Sequence, residues 1–400
     1  MSAWKVVELG DVAEFVRGIN FKPDDVVPVG TPGSVACMRT KNVQSELDCS
    51  DVWGVDGRFV KRADQFLETG DILVSSANSW NLVGKCCWIP DLPWRATFGG
   101  FVSVLRPHRT KAEPRFLFRW FSSDRIQTTV RSFGQQTTNI SNLSTDRCLR
   151  LPLPLPPLAE QRRVAEVLDR AEALQAKRLA ALAQLDTLTQ SLFLDLFGDP
   201  ATNPKGFPKK PLFSLVRDDD TINYGVVQPG DDFAGGVPLV RVGDLLEGRV
   251  NHAALKTIAP TIEASYKRSR LRGDEVLVSC VGSTGVVAMA DESVKGFNIA
   301  RAVARIPLAE TTNRVFVAAY LKTDFVQRHF TNELRTVSQP TLNIKQLSET
   351  TVILPPRDLQ REFAHRIAAI ENLRTAHRAS LAKMDALFCV LQHRAFRGEL

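Results

Sequence analysis

Leu155-Pro156-Pro157-Leu158-Ala159-Glu160-Gln161-Arg162 returns 199 residues later as Leu354-Pro355-Pro356-Arg357-Asp358-Leu359-Gln360-Arg361, and the two stretches decide the fold. The match runs on without a gap: Glu172 with Glu371, Leu174 with Leu373, Leu182 with Leu381, Asp186 with Asp385, Leu192 with Leu391 and Phe197 with Phe396. An internal repeat this long has to be settled before any fold is assigned. A double proline cannot continue a helix backwards but suits the start of one. Neither Pro nor Gly interrupts 158–197 or 357–396, and Gly198 and Gly398 supply the stops. Each copy therefore predicts one helix of some forty residues, roughly 60 Å long at about 1.5 Å per residue.

Steps of four and three residues trace an apolar seam through Val164, Leu168, Leu182, Leu185 and Leu192 in the first helix. The second carries Phe363, Ile367, Leu381, Met384 and Leu391. Such seams belong to helices packed lengthwise as a coiled coil. Both are broken by polar residues at the same two steps, 175/178 and 374/377. One reading is drift of the 3.6-residue helix, with Leu174 and Leu373 carrying the apolar face there. The other is a polar layer that fixes register or meets a partner.

Outward from the helices, two globular stretches repeat more loosely. Met38-Arg39-Thr40-Lys41-Asn42-Val43 is echoed by Val240-Arg241-Val242-Gly243-Asp244-Leu245, and Gly70-Asp71-Ile72-Leu73-Val74-Ser75 by Gly273-Asp274-Glu275-Val276-Leu277-Val278-Ser279. Strands are expected at 35–38, 71–75 and 101–105. One helix is expected over 114–130 and its counterpart over 315–329. The boundaries read as 1–150 for a first module, 151–200 for a first helical spacer, 201–350 for a second module and 351–400 for a second spacer. The fold class is α+β: two similar α/β recognition modules separated by two long helices that form an antiparallel coiled coil, an internal repeat with pseudo-two-fold character. Duplex DNA offers a reader the same symmetry.

Bulk properties narrow the class. The 400 residues are 44% hydrophobic and 24% charged, as in a folded protein of two or three domains. The first residues carry Glu8, Asp11 and Glu14, so no signal peptide is expected, and no run of 18 apolar residues could span a bilayer. Seven cysteines without a Cys-x-x-Cys point to a reducing cytoplasm. The net charge of +7 divides as +3, −2, +3 and +3 over the four segments, which suits a polyanionic partner without demanding one. No Walker loop, Gly-x-Gly-x-x-Gly, His-Glu-x-x-His or Gly-x-Ser-x-Gly occurs, nor an acidic-x-Lys nuclease element or an Asn/Asp-Pro-Pro-aromatic methyltransferase element. The chain reads as a binder without a reaction of its own.

The Leu-Pro-Pro-x-x-Glu-Gln-Arg lead-in to a long helix ending Phe197-Gly198-Asp199-Pro200, repeated as Leu-Pro-Pro ending Phe396-Arg397-Gly398-Glu399-Leu400, closely resembles the specificity subunit of type I restriction-modification enzymes. The resemblance is strong in the helices and weak in the modules. One departure is Leu359, which stands where the first copy has Glu160. The resemblance implies target recognition domains in the two modules and double-stranded DNA with a bipartite site as their ligand. It also implies a coiled coil that docks two methyltransferase subunits, with a restriction-translocase subunit joining. S-adenosylmethionine, ATP and Mg are then expected only on the partners, and this chain is expected to bind no cofactor or metal and to catalyse nothing. A coiled-coil protein scaffold without DNA readout, or a remnant of a self-sufficient restriction-methylation enzyme, would be the other classes.

Side-chain geometry favours Arg for guanine, Asn or Gln for adenine and Lys for phosphate. The expected DNA contacts are Arg39, Lys41, Asn42, Asn78, Ser79, Gln135 and Gln136 in the first module, and Arg241, Asp244, Ser283, Thr284 and Gln339 in the second. Lys267, Arg268, Arg270 and Arg272 form the densest basic run and are expected at phosphates. Asn139 and Asn343, which recur in both copies, are expected to fix the approach to the long helices.

Overall fold

The computed structural model describes residues 4–136, 140–333 and 341–400. It divides into two compact units, Met1–Arg178 with Ser380–Leu400, and Leu179–Ala379. The long helices are Leu158–Phe197 and Arg357–Ala395, so each begins in one unit and ends in the other. Gly198 and Gly398 follow them at φ of +77° and +73°, the left-handed geometry in which glycine ends a helix without strain. Among the described residues no helix is long and apolar enough to cross a membrane.

Within the first unit the strand Lys5–Glu8 pairs antiparallel with Pro152–Leu155, the strand that delivers the chain to the long helix. A four-stranded sheet orders Ala13–Arg17, Val102–Pro107, Ile72–Ser75 and Cys86–Trp88. A second sheet contains Ser34–Met38 beside Ala96–Phe98 in parallel. The second unit repeats this plan. Lys209–Pro211 pairs with Thr351–Ile353, Val276–Ser279 lies between Val303–Ile306 and Val287–Met289, and Val237–Val240 runs parallel to Asn298–Ile299. The vicinal Cys86 and Cys87 are strand residues, as their hydrophobic setting leads one to expect.

The single helix expected over 114–130 is two, Pro114–Phe121 and Asp124–Ser132, and that over 315–329 is Arg314–Leu321 and Asp324–Glu333. Ser123 Oγ donates to Trp120 O at 2.7 Å, and Thr323 Oγ1 to Tyr320 O at 2.7 Å. A hydroxyl there takes a helix-terminal carbonyl from the backbone ladder, and the chain turns. Gln127 and Gln327, at matching places in the two copies, then cross the break to the carbonyls of Phe121 and Leu321.

Each long helix is hooked to the module before it by the glutamine of its lead-in. Gln161 is 1% exposed; its Oε1 accepts the amide of Glu113 at 2.7 Å and its Nε2 donates to Pro156 O at 2.8 Å. Gln360, also 1% exposed, accepts from Asn313 at 2.9 Å and donates to Pro355 O at 2.8 Å. Glu113 and Asn313 cap the equivalent helices Pro114–Phe121 and Arg314–Leu321. The opposite end of the other long helix closes each core. Phe396 lies 5.5 Å from Phe116 in the first unit, and Phe197 lies 4.8 Å from Phe316 in the second.

In each unit the start of one long helix therefore packs beside the end of the other, which makes the coil antiparallel. Val164 and Leu168 are buried in the first core, and Leu391 packs against it. Phe363 and Ile367 are buried in the second, where Leu185 and Leu192 join them. Leu182, Leu381 and Met384 are half-buried.

The polar steps are not helix drift, because Leu174 and Leu373 are 55% and 52% exposed and carry no apolar face. Gln175 Nε2 instead donates to Asp385 Oδ1 at 2.8 Å in the first unit. In the second, Arg374 reaches Asp186 Oδ1 at 2.5 Å, Leu185 O at 3.1 Å and Thr189 Oγ1 at 3.2 Å. Since 175 matches 374 and 186 matches 385, one polar contact is built twice, once as a carboxamide-to-carboxylate hydrogen bond and once as an ion pair.

The first unit also holds an ion cluster between its module and the long helix. Arg119, 3% exposed, reaches Asp169 at 2.5 Å and Glu172, and Arg115 reaches Asp169 at 2.8 Å. The Arg119 hydrogen bond holds the Glu172 carboxyl below its ordinary range. A depressed carboxyl stabilises the fold above its unfolded pKa, about 4.3, and loses that contribution as pH falls through the folded value.

Two outcomes follow. Gln161→Ala leaves the Glu113 amide buried without an acceptor and lowers unfolding free energy by about 1–3 kcal/mol, measured by urea denaturation; no change would show that the hook is idle. Glu172→Gln lowers the urea midpoint at pH 7, and its gap from the unsubstituted chain narrows below about pH 4.3. A gap that stays constant down to pH 3 would rule out the Arg119–Glu172 contribution.

Candidate nucleic-acid interface

The first module gathers amides and aromatic rings at one edge of its sheets. The turn before Val102–Pro107 presents Phe101, 63% exposed, while its carbonyl accepts from Ser76 and Ala77 at 3.0 and 3.1 Å. Gly100 in that turn sits against Asn20, whose Oδ1 would lie 2.4 Å from a Cβ built there. Ala77–Asn78 pairs with Ser141–Leu143, which pairs with Gly134–Gln136. This register sets Gln135 opposite Asn142 and Gln136 opposite Ser141, with Asn78 on the far side of Ser141. Cross-strand partners share a face. Gln135 and Asn142 are exposed, and the Trp80 ring, 43% exposed, lies beside Gly134.

Asn78 donates one amide proton to Ser75 Oγ at 3.1 Å and accepts from the Ser79 amide at 2.8 Å. A carboxamide has two donors and two lone pairs, so half of that capacity remains. Ser79 is exposed beside it. The group can pair with the edge of a purine, and exposed rings beside it can stack on bases or wedge between base steps.

Arg39, Lys41 and Asn42 form a separate loop that is largely occupied with itself. Asn42 is 1% exposed; its Oδ1 accepts from Arg39 N at 2.8 Å and its Nδ2 donates to Asp48 O and Asp51 O at 2.7 and 3.1 Å. It is a loop staple with nothing left to offer a base. The Arg39 guanidinium lies 3.5 Å over the Trp53 ring and 3.1 Å from Asp51, and Lys41 Nζ is 2.7 Å from the same carboxylate. Hydrogen bonds from Lys41 and then Arg39 hold the Asp51 carboxyl below its usual range. Lys41 stays exposed.

In the second module Asp244 repeats the staple: its Oδ2 accepts from Arg241 N at 2.8 Å and pairs with the Arg241 guanidinium at 3.2 Å. Neither is free. Ser283 and Thr284 sit on the connection between Val276–Ser279 and Val287–Met289, equivalent to the one bearing Asn78 and Ser79; Ser283 is exposed and Thr284 half-buried. The basic run is half neutralised. Arg270 binds Glu263 through 2.8 and 2.7 Å bonds, which hold that buried carboxyl below its usual range, and Arg272 faces Asp219 at 3.4 Å. Lys267 and Arg268 are exposed and carry no ion pair among the described residues. Asn343 caps the helix Ile344–Glu349, its Oδ1 accepting from Gln346 at 2.9 Å. Gln339 and Asn139 lie outside the described residues.

Sequence reasoning passed over Asn20, Trp80, Phe101, Asn142 and Arg301. The first four come together only through strand pairing. Phe101 was assigned to a strand that begins one residue later. Arg301 is exposed on the turn of the second module that matches Gly100, because Val226 and Ala300 form the bridge that Ile19 and Gly99 form in the first.

The family model for the type I restriction modification DNA specificity domain matches residues 1–184 and 222–383. The EcoBI specificity subunit of a type I restriction enzyme from Escherichia coli is 31% identical over 66% of this chain and 61% of its own length. The EcoKI specificity subunit from Escherichia coli strain K12 is 22% identical over 99% of this chain and 89% of its own length. Among solved structures, a chain from a study of the assembly and conformational transition of the type I R-M system superimposes with a TM-score of 0.59 at 18% identity, covering 100% of this chain and 99% of that one. The type I restriction-modification S subunit from M. genitalium gives 0.55 at 14% identity, covering 98% and 96%. These last two likenesses are of fold. With the first module, most of the second and most of both long helices inside the matched residues, the chain belongs to the type I restriction modification DNA specificity domain family.

Proposed function

We propose that this chain is the sequence-reading subunit of a type I restriction-modification complex. It binds double-stranded DNA at a bipartite target, one half per module, with residues 1–150 and 201–350 as the target recognition domains. The observation that carries the reading is the family match over both copies of a duplicated module-and-helix plan. The amide and aromatic edge of the first module supports it, having the chemistry that reads adenine and grips bases.

In this reading the helical spacers 151–200 and 351–400 dock two methyltransferase subunits, and restriction-translocase subunits join that assembly in the cytoplasm. The chain itself is non-catalytic. S-adenosylmethionine, ATP and Mg act on the partners, and this chain contributes only position: it decides which base is presented to the methyltransferase. Base contacts in the first module come from Asn78, Ser79, Gln135 and Gln136, with Lys41 at phosphate. Arg39 and Asn42 shape the loop that carries Lys41. Arg241 and Asp244 do the same in the second module, where Ser283, Thr284 and Gln339 approach bases and Lys267 and Arg268 approach phosphates. Arg270 and Arg272 are ion-pair anchors.

The test is the map of methylated adenines in cells expressing this chain with its methyltransferase. A single split motif with two different halves is expected, and an unsplit motif or none would sink the reading. Exchanging residues 205–350 for the second module of another family member changes one half only; change in both halves, or in neither, would refute the assignment of one module to one half. Asn78→Ala relaxes a position in the first half, whereas Asn42→Ala lowers stability by about 1–3 kcal/mol and leaves the motif intact. A motif altered by Asn42→Ala with stability unchanged would reverse their roles.

A further inference from the structure

Several arginines of the second unit are committed to carboxylates. Arg217 faces Asp274 at 2.7 Å, Arg241 Asp244 at 3.2 Å, Arg249 Glu371 at 3.6 Å, Arg270 Glu263 at 2.7 Å and Arg272 Asp219 at 3.4 Å, while Arg305 is buried between Asp220 and Glu275. Arg301, like Arg268, is not so committed. It is exposed, it has no carboxylate partner among the described residues, and only its backbone amide is engaged, donating to Val226 O at 2.8 Å.

Its place is rigid. The turn is anchored on one side by Val226 and on the other by Ala302, whose carbonyl accepts from Cys280 at 2.7 Å. On the paired strand Asn223–Tyr224, the half-buried Tyr224 hydroxyl, which burial pushes up to about 12, donates to Leu342 O at 2.7 Å. The neighbouring Asn223 donates to Arg268 O at 3.3 Å, which ties the segment carrying Lys267 and Arg268 to the strand paired with Val303–Ile306, just after this turn. The equivalent position in the first module is Gly100, which has no side chain to offer a base. The two modules differ chemically at this one turn.

Resting on the reading of the second module as the reader of one half-site, we propose that Arg301 determines its specificity by donating both arms of its guanidinium to a guanine, while Lys267 and Arg268 hold the flanking phosphates. Guanine is the base whose major-groove edge offers two acceptors, O6 and N7, spaced for that fork. Lys is a point charge and cannot reproduce the bidentate fit. Arg on an anchored turn delivers the fork at low entropic cost, whereas phosphate contact needs only charge.

Arg301→Ala, Arg301→Lys and Arg268→Ala are compared with the unsubstituted chain, each coexpressed with its methyltransferase, by sequencing methylated adenines. Arg301→Ala is expected to relax one guanine position in the half that the module exchange assigns to residues 205–350, with a loss of about 5- to 150-fold in discrimination there and the other half unchanged. Arg301→Lys, which keeps the charge and so guards against a folding loss, relaxes the same position. Arg268→Ala lowers methylation at all sites without relaxing any position, and lowers the salt dependence of DNA binding by the complex by about one charge. If Arg301→Lys leaves the motif unchanged, or weakens all sites equally, the guanine contact is refuted while the split motif of the unsubstituted chain stands. Absence of a split motif in the unsubstituted chain would instead refute the underlying reading.

Discussion

Everything in this protein depends on two buried carboxamides and two terminal phenylalanines. Gln161 and Gln360 fasten each long helix to the first turn of the helix that begins the core of the preceding module. Phe396 and Phe197 bring the far end of the other long helix into the same core. A free coiled coil holds its partners by seam contacts alone. Here each end of the seam is continuous with a module core, so within a unit module and helices share one hydrophobic interior. The orientation of a module on its helices is set by packing and hydrogen bonds and needs no flexible linker.

The polar contact built twice along the coil works on the same principle with unequal strength. A seam of leucines tolerates slippage, whereas a polar pair reaching from one helix to the other is satisfied in one register only. Gln175 and Asp385 form a neutral-to-charged hydrogen bond; Arg374 and Asp186 form an ion pair buttressed by a carbonyl and a hydroxyl. The buried ion pairs of the modules follow the repeat as well. Asp71 with Arg106 and Glu275 with Arg305 each tie the strand after a glycine turn to its neighbour. The acid keeps its place in both copies, while the arginine that meets it stands two residues apart in register.

The two edges differ in their chemistry. The first module exposes amides and rings, the second an uncommitted cationic pair, and they differ most where Gly100 and Arg301 occupy one turn. A base reader needs polar groups that the fold has not already consumed. Asn42 and Asp244 looked suitable because Asn and Asp are chemically competent, yet both are spent capping short turns. Asn78 and Gln135 have capacity in reserve.

The sequence by itself determined the long helices, their starts and stops, the apolar seam and the twofold repetition of a module-and-helix plan. Those are properties of neighbours along the chain: proline and glycine placement, 3.6-residue periodicity and fixed offset. It also carried the family likeness, because the lead-in and the helix ends are contiguous motifs. Tertiary structure alone decided that Leu174 and Leu373 point away while Gln175 and Arg374 find acids on the other helix. It also decided that one apparent helix breaks at Ser123 and again at Thr323, and that Asn20, Phe101, Asn78, Asn142 and Gln135 meet at one edge. The reason is physical: whether a polar side chain is spent or available depends on partners tens of residues away, and no local pattern records that expenditure.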